Sequence, residues 1–130
     1  MMVDQRTHEQ LSETLVGEPV EIGAETAVVE LETTAEMAVD ETGLVHGGFV
    51  YGAADYAAML AVNEPTVVLT GSDVTYPNPT RAGETVRATA TVTERDPRPS
   101  VDVTVEVAGT GDVVFSGTFD CAVPSEHVLS

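Results

Sequence analysis

The chain has 130 residues and a formal charge of -17 at pH 7, from 22 Asp and Glu against five Arg and no Lys. Nucleic acid and anionic membrane surfaces are poor partners for such a balance. The length suits a single domain, 1–130, with a real core, and neither a linker nor a low-complexity stretch interrupts it.

The acidic residues are spread along the chain instead of forming a tail, and this, with the absence of Lys, is expected of a halophilic protein whose surface stays hydrated in concentrated salt. The polar start from Met1 to Arg6 has no apolar run behind it, and the longest apolar run, Tyr56 to Val62, is too short to cross a bilayer. A cytoplasmic protein is expected. Cys121 is the single cysteine, so no intrachain disulfide or thiolate cluster can form, and it is expected to be a small buried residue near a strand end.

Leu11, Leu15 and Val16 have roughly helical spacing before Gly17-Glu18-Pro19, so residues 1–24 are expected to form a weak N-terminal helix and lead-in. From Ala27, the series Val29, Leu31, Thr33, Ala35, Met37 alternates with Val28, Glu30, Glu32, Thr34, Glu36, which predicts a long strand wetted on one face. The turn Asp40-Glu41-Thr42-Gly43 follows. The small-residue segment to Asn63, closed by Glu64-Pro65, predicts a helix of about four turns. Its Gly52 and its alanines leave it thin enough to lie close against a curved surface.

Four more strands are expected at 67–76, 85–94, 101–107 and 113–123, each with period-two alternation. The turns at 96–99 and 109–112 are short enough to make antiparallel hairpins of their neighbours. The expected fold class is α+β, a five-stranded and mostly antiparallel sheet wrapped around one long central helix.

Between Gly43 and Asn63 the only charged side chain is Asp55, and a lone carboxylate among aliphatic and aromatic neighbours needs a reason. Gly47 and Gly48 stand where the helix begins, so bare N–H groups at the positive end of its dipole suit a developing oxyanion. Seven residues separate Gly48 from Asp55, which puts both near one helix face. Burial should raise the pKa of Asp55 and improve it as a base. The plainer alternatives are a tight turn at the glycines and a cap or an interface ion pair at Asp55.

His46-Gly47-Gly48 with Asp55 nine positions after the His, the small-residue helix, and the loop from Thr75 to Glu84 together resemble the hotdog-fold acyl-CoA thioesterases, particularly the phenylacetate-degradation type. In element order the resemblance runs over 27–123. It implies hydrolysis of a thioester to free acid and CoA without a cofactor, in a homodimer or a homotetramer of paired dimers whose interface sites draw on both chains. By the same resemblance Asp55 is general base or nucleophile, the N–H of Gly47 with Gly48 beside it polarises the carbonyl, and His46 is mainly positional.

Relatives often carry Asn or Gln six residues before the motif His to help hold water, and here that position is Asp40, either a second carboxylate in the site or a turn residue. The phosphates of CoA want cations. Arg81, in the Pro-Gly loop, is the best candidate, while Arg87 and Arg95 are expected to pair with carboxylates on the sheet surface. No metal is expected, since His8 and His127 lie near the termini without a ligand pattern, and Ser72 and Ser116 lack a nucleophile-elbow context. Two other functions fit the same fold: a non-catalytic acyl-CoA binding or sensing module, and a hydratase or dehydratase using His46 with Asp55.

Overall fold

The computed structural model describes residues 2–130. Six strands make one antiparallel sheet: β1 Glu18–Ile22, β2 Thr26–Glu32, β3 Val68–Thr75, β4 Thr85–Glu94, β5 Ser100–Val107 and β6 Val113–Ala122. Their order across the sheet is β1-β2-β4-β5-β6-β3.

Alternation decides which face meets the core. Ala27, Val29 and Leu31 of β2, Val86, Ala88 and Ala90 of β4, and Val101, Val103, Val105 and Val107 of β5 are all buried. β6 adds Phe115, Phe119 and Cys121. These side chains close on the helix α2, Gly47–Val62, whose last turns from Tyr56 to Val62 are buried all round. A helix apolar on every side can only be central, and burying each large side chain contributes about 1.5–3 kcal/mol. Alanines let the sheet approach closely, and no helix among the described residues is long and apolar enough to cross a membrane.

Three local expectations change. The N-terminal helix is the single turn α1, Glu13–Val16, with Leu11 and Leu15 exposed. So short a helix gains too little to nucleate beyond what it packs against. The sheet has a sixth strand, β1, paired antiparallel with β2. Only Ile22 of that strand is buried, so its alternation is too thin to read, and Pro19 is tolerated because β1 is an edge strand.

The alternation from residue 27 to 37 is broken as well, since β2 stops at Glu32 and Ala35–Met37 form a 3-10 turn. Thr33 causes the break: its hydroxyl donates to Glu84 O at 2.6 Å, and Gly83 N donates back to Thr33 O at 3.1 Å. Met37 still reaches the core from the turn.

β3 follows the helix but hydrogen-bonds to β6, from Val68↔Ala122 to Thr75↔Ser116, and its other edge has no strand partner among the described residues. Cys121 lies inside this part of the sheet, fully buried. Burial, then the charges of Asp55 and Asp120, pushes its thiol up to about 12. Alkylation by iodoacetamide at pH 8 is therefore expected only after unfolding, since the thiolate is the reactive form. Mass spectrometry of native and urea-treated protein checks this, and rapid labelling of the native protein is the contrary result.

Candidate active site

Helix α2 begins with His46 as its N-cap, and the ring Nδ1 accepts a hydrogen bond from Gly48 N at 2.8 Å. His46 N in turn donates to Met37 O at 2.8 Å. The cap thus satisfies one orphan donor of the helix end and consumes the N–H of Gly48. The N–H of Gly47 donates to no protein acceptor among the described residues. The carbonyl of Gly47 accepts from the Tyr76 hydroxyl at 3.0 Å. A Cβ at Gly47 would stand 3.0–3.3 Å from atoms of the Tyr76 ring, so glycine is what lets this tyrosine lie over the helix start. Gly47, Val50, Tyr76, Asn78 and Thr80 share a cleft of about 350 Å³.

Asp55 opens onto another cleft, of about 630 Å³, with Met59, Val67 and Leu69 among its apolar walls. Its Oδ1 is buried without a hydrogen-bond partner. Desolvation raises its pKa from 3.8 to about 6, because burial penalises the charged form. An unpartnered buried carboxylate oxygen is costly to the fold. The helix carries Asp55 about 12 Å along its axis from Gly47, eight residues at 1.5 Å each. The two groups therefore share a helix but open onto separate clefts within one chain.

Asp40 is an exposed turn residue whose Oδ1 accepts from Thr42 N at 2.9 Å and from Thr42 Oγ1 at 2.5 Å. Those two hydrogen bonds hold its pKa below the usual range. It lines neither cleft. Arg81 is exposed and has no ion pair among the described residues; its backbone N donates to Glu84 Oε1 at 2.7 Å, and the residue before it lines the smaller cleft. Arg87 pairs with Glu30 at 2.6 Å and Arg95 with Glu25 at 3.4 Å, both on the sheet surface as expected.

Sequence reasoning passes over one set of residues. Arg6, Thr7, His8 and Glu9 from the start of the chain, and His127 from its end, line the Asp55 cleft. Nothing in the local pattern around His8 announces this, since Asp55, which lines the same cleft, is 47 residues away in sequence. The one contributing signal is polar and easy to miss: Asn63, at the helix end, is the C-cap in left-handed conformation and also a hydrogen-bond anchor for residues 4 and 6. No three His, Cys, Asp or Glu side chains among the described residues converge as metal ligands.

No family model matches the chain. Over 117 residues, 90% of its length, it is 44% identical to the methylthioribose-1-phosphate isomerase of Aquifex aeolicus, and it spans only 25% of the length of that curated relative. It superposes on the crystal structure of the uncharacterized protein PH1136 from Pyrococcus horikoshii with a TM-score of 0.96 and 49% identity, covering 100% of this chain and 99% of that one. It also superposes on a hypothetical thioesterase protein with coenzyme A from Streptococcus pneumoniae, with a TM-score of 0.75, 18% identity, and 85% and 87% of the two chains covered. This last likeness is one of fold alone.

Proposed function

The chain belongs to the hotdog-fold family of the Pyrococcus horikoshii protein PH1136, and from that premise we propose that it is an acyl-CoA thioesterase with Asp55 as its base. The observation that carries the reading is the buried, unpartnered Oδ1 of Asp55 at the wall of a cleft, with a pKa raised to about 6. A general base works best when its pKa lies near the operating pH. Asp55 takes a proton from water as the water oxygen attacks the thioester carbon. The oxyanion is received by the N–H of Gly47, and as the C–S bond breaks the thiolate leaves with the proton that Asp55 held.

Gly47 is preferred to Gly48 for the oxyanion because His46 already occupies the Gly48 N–H. The same bond makes Nδ1 an acceptor, so the neutral His46 ring carries its proton on Nε2 and can donate there but not act as a base. Asp40 is read as a turn residue and Arg81, which follows the cleft-lining Thr80, as the cation for a phosphate of CoA. The coenzyme A of the Streptococcus pneumoniae neighbour supports this leaving group. A pure sensing module has no use for an unpaired buried carboxylate. The isomerase name describes a protein of which this chain matches a quarter, so it does not carry over.

Donor and base about 12 Å apart on one helix cannot serve one carbonyl, which needs both within about 3 Å. A second copy, joined along the free edge of β3, supplies the missing half, with Gly47 of one chain facing Asp55 of the other. Such dimers can pair again into tetramers. Two inactive variants, Asp55→Asn and Gly47→Val, should then complement each other. A mixed dimer holds one intact site, so an equal mixture refolded together should regain about a quarter of wild-type activity. Activity no higher than in either variant alone contradicts a shared site.

The acidic, Lys-free composition supports work in concentrated salt, so an acyl-CoA panel is best screened at high salt with a thiol reagent. The shielded Cys121 keeps the background low. Failure to release thiol above the Asp55→Asn background across the panel sinks the thioesterase reading.

A further inference from the structure

The first residues of the chain are tied down at several points. Val3 N donates to Ile22 O at 2.8 Å, Arg6 N to Asn63 Oδ1 at 2.8 Å, and Asn63 Nδ2 to Asp4 O at 2.8 Å. The Gln5 amide reaches the Tyr56 hydroxyl at 3.1 Å and the carbonyls of Thr7 and His8 at 3.0 and 3.2 Å. These bonds close a curl at His8, whose φ is 56°. The only other non-glycine residue at positive φ among the described residues is Asn63, at 54°, the same residue that anchors the segment.

Left-handed backbone is uncommon in residues with a Cβ and persists where the surroundings over-determine it, as happens at functional sites. Here it sets the half-buried His8 ring into the wall of the Asp55 cleft. Nδ1 lies 2.8 Å from the hydroxyl of the buried Thr7. With Nδ1 so engaged, Nε2 is the nitrogen left for a ligand.

We propose that His8 is a further residue of the Asp55 site, its Nε2 accepting a hydrogen bond from the attacking water and so aiming that water at the thioester. The role rests on the hydrolytic reading above. One O–H of the water loses its proton to Asp55, the other donates to Nε2 without transfer, and the oxygen lone pair forms the C–O bond. His8 therefore ends the step as it began, neutral, with its Nδ1–H on Thr7 Oγ1. Burial lowers its pKa from the ordinary value, which favours that neutral form. The other charged or titratable groups on the cleft wall are Arg6, Glu9 and His127, with Glu64 paired to Arg6 at 3.6 Å.

His8→Asn keeps a residue that tolerates the left-handed backbone while removing the imidazole. Its kcat should fall about tenfold or more with KM unchanged, and His8→Gln, whose longer amide reaches further into the cleft, should recover part of the loss. In the wild type the acid limb of kcat should steepen toward a two-proton slope, from Asp55 and His8 together, and in His8→Asn it should relax to one proton. An unchanged kcat and an unchanged slope in His8→Asn overturn the proposal.

An NMR titration of the His8 ring in wild type and Asp55→Asn gives a readout independent of turnover. The midpoint should drop in the variant, because the carboxylate no longer supports the imidazolium. Hydrolysis by the wild type with an unmoved His8 midpoint overturns the role of His8 alone. Absence of hydrolysis in the wild type overturns the thioesterase reading and this role with it.

Discussion

Asp55→Asn is expected to abolish most hydrolysis and to stabilise the folded protein in the same stroke. Losing a positioned general base costs about 10²–10⁴ in kcat, so turnover should approach background while acyl-CoA still binds. The stability gain follows from the pKa, raised from 3.8 to about 6 by desolvation. Below pH 4 the carboxyl is protonated folded or unfolded, and it costs nothing. Between pH 4 and 6 the unfolded chain releases its proton while the folded one retains it, so stability falls with rising pH. Above pH 6 the cost levels off at up to about 3 kcal/mol, some two pKa units at 1.36 kcal/mol each.

Asparagine does not ionise, so the gap between variant and wild type should open from near zero at pH 4 to its full value above pH 6. Urea unfolding at pH 4.5 and 7.5 checks it. A gap of constant size across that range means that the carboxylate is not desolvated in the folded chain. Hydrolysis and stability report different things here, since an Asp55 that served only as a structural cap would lower both when removed.

Gly17→Ala should have the largest purely structural effect. Gly17 has φ 93° and ψ -178°, a region that is essentially reserved for glycine. A Cβ there would come 2.5 Å from Glu30 O and 2.9 Å from Glu30 C, atoms of the β2 backbone that cannot swing aside. Backbone strain and overpacking each cost about 1–3 kcal/mol, so a loss of about 3 kcal/mol or more is expected. The damage should centre on β1, which starts at the next residue. Hydrogen exchange should show early opening of β1 and of residues 3–8, tied to it through Val3 and Ile22. Melting equal to wild type removes the steric account.

Much of the scaffold is legible in the order of residues. Period-two alternation marks β2, β4, β5 and β6 because every second side chain of a strand meets the core, a property of the local backbone. The central helix is equally readable, since an apolar segment with alanine on several sides has nowhere else to go. β1 escapes notice because one inward side chain makes no pattern. The end of β2 escapes because Thr33 spends its hydrogen bonds on Glu84 and Gly83, 51 and 50 residues away, while the alternation runs on past it.

At the site the division is similar. The isolation of Asp55 and the glycines at the helix start are facts of composition, and they single out the segment that the structure places between two clefts. Which glycine keeps a free N–H depends on the His46 rotamer. That Gly47 and Asp55 face different clefts depends on what packs between them, and that His8 joins the wall of the Asp55 cleft depends on a chain start held by Asn63 and Tyr56. Periodicity and polarity are carried by neighbours along the chain, so the order of residues is enough for the central helix, for most strands of the sheet and for the lone carboxylate within that helix. The sixth strand, the pairing of β3 with β6 and the cleft wall around Asp55 are contacts between residues that the chain order keeps apart, and they exist only once the chain is folded.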